Sequence, residues 1–251
     1  MSLRQHLLSI ADAKTIENLW EDHVRKMAQY GFDRLLYGFT RYRTATSLGD
    51  PEDFIILTNH SQAYTSVFLD EGHYHHAPMV NWALNNEGAK SWRLLADMEA
   101  SKALSGPERR VLEFNRDMGV TAGYSISFKS ISARSKGAIA LTAKPGLSQQ
   151  DVDEMWAEHG ADITLMNNIL HLKILTLPYT APNRVLTARQ REALEWVGDG
   201  KTTQDIAMLM GLTAATVEKH LRLARESLAV ETTAQAVLKA AFSNQMFVID
   251  L

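Results

Sequence analysis

The chain has 251 residues, 45% hydrophobic and 22% charged, with a formal net charge of −3 and no cysteine. This is the make-up of a globular protein of one large or two unequal domains. It excludes disulfide and thiolate–metal chemistry, and no apolar run reaches the roughly 18–20 residues that span a bilayer. The opening residues, MSLRQHLLSIADAK, carry charges inside their apolar stretch and no small-residue cleavage pattern, so no signal peptide is expected. Freedom from cysteine fits a reducing cytoplasm, the expected location.

From Ala13 to Tyr30 the apolar residues Ile16, Leu19, Trp20, Val24 and Met27 recur at helical spacing. Phe32–Tyr42, aromatic-rich after Gly31, predicts a strand, and so does Asp53–Thr58 after the turn signal Gly49-Asp50-Pro51. Short helices are expected over Ser61–Asp70 and Pro78–Asn85, and longer ones over Ser91–Leu104 and Pro107–Met118, the last with proline in its first turn. Thr121–Ser130 alternates and Gly137–Thr142 is short and apolar, giving the remaining strands. A long helix, Ser148–Leu177, opens on a serine N-cap; its apolar stripe serves equally as core or as a dimer seam. Pro178 and Pro182 then break the pattern. The expected organisation is a sensor-like α/β (α+β) sandwich over 1–177, a central antiparallel sheet flanked by helices. A linker over 178–185 and an all-α helix-turn-helix domain over 186–251 follow, with Thr176–Arg184 as the hinge.

The tail carries the sharpest signal. Short amphipathic helices are punctuated by Gly200 and Gly211, and MLMGLTAATV has the tight glycine turn of a helix-turn-helix, with Thr213 as N-cap of the following helix. That helix is the one expected in the major groove of double-stranded DNA. Thr216, Lys219 and Arg222 share a face with helical spacing, and His220 lies beside them. Lys219 and Arg222 suit guanine edges. Lys201, Thr202, Thr203 and Thr213 lie at helix starts, where hydroxyls and N–H groups suit phosphate. Glu218 accepts from cytosine or excludes wrong sites. A merely solvated helix is the alternative. From Arg184 onward, Lys and Arg are matched one for one by Asp and Glu, so the tail is electrically neutral. Binding then needs local cations, helix N-termini and two copies of the chain, and a homodimer is expected.

The run LTARQREALEWVGDGKTTQDIA…GLTAATVEKHLRLARESL…TAQAV resembles the DNA-binding domain of LuxR/FixJ-type regulators along its whole length. Leu186, Leu194, Trp196, Ile206, Ala207, Val217, Leu221 and Leu228 supply the core frame. Two departures, Gln190 for an acidic residue and Glu226 near a usually basic position, are expected to lower the attraction to DNA. Upstream, roughly Ala13–Leu177 resembles the autoinducer-binding domain of quorum-sensing LuxR proteins; nothing there fits a phosphoacceptor receiver. Between Tyr64 and Trp92 the family's aromatic–aromatic–Asp-Pro–Trp frame lies down without a gap. Tyr64 stands for Trp, Phe68 for Tyr, Ala77-Pro78 for Asp-Pro, and Trp92 for the pocket Trp. His60 stands where a Tyr donor is common, and Gly123, two residues before Ser125, fits the glycine ahead of the pocket strand.

The resemblance implies a transcriptional regulator controlled by a small apolar signal such as an acyl-homoserine lactone, bound by His60, Tyr64, Phe68, Ala77, Trp92, Gly123 and Ser125. It implies no cofactor and no membrane partner. In the family the carboxylate at position 77 accepts the ligand's amide N–H. An unpartnered buried amide costs about 1–3 kcal/mol, so its loss lowers lactone affinity on the order of tenfold. The signal is then a lactone bound differently or an apolar molecule without that amide; a ligand-independent regulator is the alternative. As plain sequence, the aromatics also fit an ordinary core. The run Gly72-His73-Tyr74-His75-His76 beside Asp70 and Glu71 would underlie a metal-dependent enzyme fused to a DNA-binding module. It lacks a second ligand motif, and no nucleophile elbow or His-Glu-x-x-His occurs, so neither a metal site nor catalysis is expected. Glu108-Arg109-Arg110 is read as a solvated helix face.

Overall fold

The computed structural model describes residues 1–130, 132–179, 181 and 183–247. Pro182 and the end of the second expected domain, 248–251 with Asp250, lie outside the described residues. The chain divides into two compact units, Met1–Leu175 and Thr176–Leu251.

The first unit is built on one antiparallel sheet. Its strands are β1 (Phe32–Thr40), β2 (Ile55–Thr58), β3 (Gly88–Ser91), β4 (Gly123–Ser127) and β5 (Lys136–Ala143), in the order β2-β1-β5-β4-β3. One face is covered by α2 (Ile16–Ala28) and the long α7 (Gln149–Ile174), with α1 (Leu3–Asp12) packed against both helices. Leu35, Tyr37, Ile139 and Leu141 bury themselves there, and Tyr124 stacks on Trp156 of α7 at 3.8 Å. The other face carries α3 (Gln62–Thr65), a π-turn over Ser66–Asp70, a 3₁₀ turn over His73–His76, α4 (Pro78–Asn85), α5 (Arg93–Ala100) and α6 (Gly106–Asp117). This is the expected sandwich of sheet and helices.

Local chemistry sets the helix starts. Ser2 with Gln5, Ser105 with Glu108, and Ser148 with Asp151 form reciprocal capping boxes, and Thr15 caps α2 alone. Glu108, read as part of a solvated face, is thus a capping residue. Three buried polar groups tie α1, α2 and α7 together. The side-chain amide of Asn167 donates to the Ile163 carbonyl, which turns its oxygen toward His23. His23 Nε2–H then donates to that oxygen, and His6 donates to His23 Nδ1 at 3.1 Å. Burial holds both imidazoles neutral, His6 down to about 4 and His23 to about 3.

The structure corrects several expectations. A helix precedes the first expected one, because the Ser2 capping box nucleates Leu3–Asp12 within the stretch weighed as a leader. Ser91–Leu104 is not one helix: Ser91 ends β3, and α5 runs only from Arg93 to Ala100. The strand was missed because GAKS is exposed and has no apolar alternation. The histidine run His73–His76 forms a 3₁₀ turn.

The second unit contains α8 (Ala188–Gly198), α9 (Thr203–Met210), α10 (Ala214–Ser227) and α11 (Thr233–Phe242) around Leu194, Ile206, Val217, Leu221, Leu228 and the small Ala193, Ala224, Ala236 and Ala240. Gly211 ends α9 with φ +65°, a left-handed conformation that glycine adopts without steric cost. The expected hinge is less free than the sequence suggests. Leu177, Ala181 and Arg184 are buried, Tyr179 N–H donates to the Ser243 carbonyl, and Asn244 donates to the Leu177 carbonyl. The stretch from Thr176 therefore belongs to the second unit.

Candidate functional site

Two candidate sites emerge, one in each unit. On the outer face of the sheet, Tyr64, Phe68, Ala77 and Trp92 are all buried in one apolar cluster with Val111 and Val120. Tyr64 is at its centre. Its ring stacks on His60 at 4.3 Å, on Phe68 at 5.2 Å and on Phe114 at 5.4 Å. Leu36 of β1 and Ala140 of β5 form the floor.

Gly123 explains how Trp92 fits. A Cβ there would stand 2.2 Å from the Leu141 carbonyl oxygen and 3.0 Å from the indole, so only glycine lets the ring lie flat on β4. The indole N–H donates to Ser125 Oγ at 2.9 Å. All seven residues named from the sequence thus meet at one place.

The polar tips of Tyr64 and Trp92 are already engaged. The Tyr64 phenol, expected as a donor to a lactone carbonyl, donates to Asn115 Oδ1 at 3.1 Å. Burial pushes its acidity well away from physiological pH. Burial, reinforced by the Arg34 guanidinium, lowers His60 to about 4, so its ring is neutral at pH 7. Arg34 itself is spent on the carbonyls of Met118, Gly119 and Ala143. Ala77 is the N-cap of α4 and offers no side-chain acceptor to the helix or to the cluster. Asn115, Val111 and Phe114 of α6 were not singled out from the sequence. The apolar spacing of Val111 and Phe114 along an amphipathic helix is the available signal, without a cue to which partner they face, and nothing marks the polar Asn115.

Among the described residues no group of three or more His, Asp or Glu side chains could hold a metal ion. Nor is any described helix long and apolar enough to cross a membrane.

In the second unit, α10 presents Glu218, Lys219 and Arg222 to solvent, with Thr216 and His220 half-buried. Among the described residues Lys219 makes no ion pair, whereas Arg222 is bound to Glu226 at 2.5 Å. Several hydroxyls assigned to phosphate have other work. Thr202 Oγ accepts from the Asp205 N–H and donates to its carboxylate, closing the capping box of α9. Thr213 Oγ accepts from the Thr216 N–H, and Thr203 Oγ donates to Glu218. Gln190 is buried and returns its side-chain oxygen to the Thr187 N–H. An acidic residue there would make the same cap but add a negative charge, so Gln190 keeps the helix start and does not lower the attraction to DNA as expected.

Comparisons with known proteins agree with both halves. The family described as autoinducer binding domain matches residues 15–174, and bacterial regulatory proteins, luxR family, matches 184–240. The transcriptional activator AnoR of Acinetobacter nosocomialis is 24% identical over 231 residues, 90% of this chain and 91% of that one. The transcriptional activator LuxR of Aliivibrio fischeri is 23% identical over 191 residues, 75% of this chain and 73% of its own. In fold, the chain is similar to Escherichia coli SdiA, with a TM-score of 0.50, 18% identity and 98% of both chains covered. It is also similar to CepR2 of Burkholderia cenocepacia, with a TM-score of 0.51, 15% identity, 68% of this chain and 94% of that one.

Proposed function

This chain belongs to the LuxR-type bacterial regulators that carry an autoinducer-binding domain, and from that premise we propose that it couples a small apolar effector to sequence-specific DNA binding. The effector is seated at the cluster of Tyr64, Phe68, Ala77 and Trp92, flanked by His60, Gly123 and Ser125. The duplex is read by α10 through Lys219 and Arg222, with Lys201 and the starts of α9 and α10 against phosphate. The protein works in the cytoplasm as a homodimer, without a cofactor, and no residue is assigned a catalytic role. The effector acts by binding one arrangement of the chain better than another.

The observation that carries this reading is the convergence of the seven residues on one buried apolar face, far apart in sequence and joined by ring stacking and the Trp92–Ser125 hydrogen bond. The test is thermal denaturation of the full chain with N-acyl-homoserine lactones of graded length and with apolar lactones lacking an amide. An effector at a hundred times its Kd adds about 2.7 kcal/mol and raises the melting temperature by degrees. A shift from no compound in either series would remove effector control.

A second reading has its own support. Trp92 and Tyr64 find their hydrogen-bond partners within the protein, in Ser125 and Asn115, and the rings stack on one another. A cluster that satisfies itself suits a regulator that binds DNA without an effector. Operator affinity of protein purified with and without lipid extraction separates the two: equal affinity supports this second reading.

A further inference from the structure

Among the described residues, the sheet carries a buried hydroxyl, that of Thr142, for which the protein supplies no hydrogen-bond partner. In the antiparallel pair of β4 and β5, Gly123 stands opposite Thr142 and Ser125 opposite Ala140. Residues directly opposite project to the same face, as do alternate residues along one strand. A side chain at Gly123 would run into the Trp92 ring, and Ala140 packs on the aromatic cluster. Thr142 therefore projects on the Trp92 side. It is 1% exposed, and its Oγ1 has no hydrogen-bond partner.

Buried hydroxyls without a partner are rare, because burial strips them of water and gives nothing in return. The groups around this one are committed elsewhere. The indole of Trp92 uses Ser125, and Arg34, the residue opposite Thr142 on β1, uses three backbone carbonyls. A hydroxyl both accepts and donates. Ser125, Tyr64 and Trp92 each already make a hydrogen bond within the protein, whereas Thr142, on the same face beside the cluster, is the buried group among the described residues there that makes none.

We propose that Thr142 is the polar anchor of the effector site, its Oγ accepting the N–H or O–H of a neutral, mainly apolar effector where position 77 offers no acceptor. This rests on reading the cluster as the effector site. It narrows the effector to molecules with a single donor next to an apolar chain. A carboxylate at 77 would favour such a donor by charge, whereas a threonine favours it by geometry alone, so the discrimination is smaller.

The test uses the full chain, tryptophan fluorescence titration and two probes that differ at one atom. They are N-octanoyl-homoserine lactone and its ester isostere, in which oxygen replaces the amide N–H. The wild type should bind the amide about three- to tenfold more tightly than the ester. Thr142→Val should erase that preference, Thr142→Ser should keep it, and the empty Thr142→Val protein should melt no lower than wild type. A Thr142→Val protein that still prefers the amide, or a wild type that binds both equally, overturns the assignment of Thr142 and leaves the site standing. A marked loss of stability in empty Thr142→Val also overturns it, because the hydroxyl would then have a structural partner. Binding of neither probe by the wild type overturns the effector reading itself, and the Thr142 assignment with it.

Discussion

Replacing Ala77 by aspartate places a carboxylate at the N-cap of α4, against Tyr64, Phe68 and Trp92. Two opposing effects follow for the empty protein. The backbone at 77 is extended (φ −76°, ψ 118°) and Pro78 occupies the first helical position, the geometry in which an aspartate accepts from the N–H of Met79 or Val80. That cap contributes about 1 kcal/mol, and the helix dipole adds about 0.3–1 kcal/mol. Against this, a buried carboxylate costs several kcal/mol unless it is hydrogen-bonded, and Arg34, whose charge acts on His60, is already occupied by carbonyls. The two nearly cancel once the cap forms, so the melting temperature of empty Ala77→Asp should lie within a few degrees of wild type.

The change appears when an amide donor enters. A hydrogen bond to a charged acceptor is worth about 1.5–3 kcal/mol against about 0.5–1.5 kcal/mol for the neutral hydroxyl it replaces, a difference on the order of tenfold in affinity. Ala77→Asp should therefore bind N-octanoyl-homoserine lactone about tenfold more tightly than wild type while the ester isostere gains nothing. Isothermal titration with the two compounds measures both numbers. An equal gain for amide and ester would show that the carboxylate acts by reshaping the cluster and not by accepting the N–H, and the reasoning from position 77 would be refuted.

Acid should destabilise the first unit. His171 is buried against Phe128, which it stacks on at 4.2 Å, and it is hydrogen-bonded to the Tyr37 phenol and lowered to about 4. Below pH 6.5 the unfolded chain binds protons that the folded chain refuses, so stability present above 6.5 is lost as pH falls toward 4. The loss between pH 7 and 5, read from urea midpoints, should be smaller in His171→Gln by about 2 kcal/mol. In the second unit, Ala229 follows α10 with φ +50°, where an L side chain costs about 1–2 kcal/mol. Ala229→Gly should raise the unit's melting temperature by about 2–6 °C in calorimetry, after discounting glycine's freedom in the unfolded chain. For DNA, Lys219→Ala should weaken preference at one base position by roughly 1–3 kcal/mol, whereas Lys201→Ala should weaken all duplexes alike. Competition binding against single-base operator variants would refute the assignment of α10 if the two variants behaved identically.

What the sequence made readable follows the strength of local rules. The reader is fully visible, because Gly211, the Thr caps and the apolar frame act within a turn or two of where they stand in the chain. The aromatic cluster is visible only through spacing shared with a family; nothing in the stretch from Tyr64 to Trp92 says which helix closes over it. Thr142 was invisible as a site residue. Its meaning depends on β-register with Gly123, a long-range property that no local pattern encodes. β3 escaped for a related reason: GAKS pairs on one edge only and is exposed, so burial never imposed an alternation on it. Thr202 and Thr213 were assigned to phosphate from position at helix starts, correctly placed there, but their hydroxyls are used to close the helices themselves.

The same accounting bears on how DNA is held. Arg222 is tied to Glu226, Arg225 donates to the neutral Thr233 hydroxyl, and Thr203 is joined to Glu218, so among the described residues Lys219 is the cation of α10 with neither an ion pair nor a side-chain hydrogen bond. Affinity for duplex comes largely from neutralised phosphates and the counterions they release, at a slope of about 0.9 per contact. One reader with so few uncommitted cations gains little from that term, and its base contacts cover a single half-site. Two readers held together double the phosphate contacts and make the second half-site an intramolecular encounter. In the proposed homodimer the pairing of Arg222 with Glu226 would weaken a lone reader on every duplex, and guanine edges in both halves of a site would be needed to draw the arginine out.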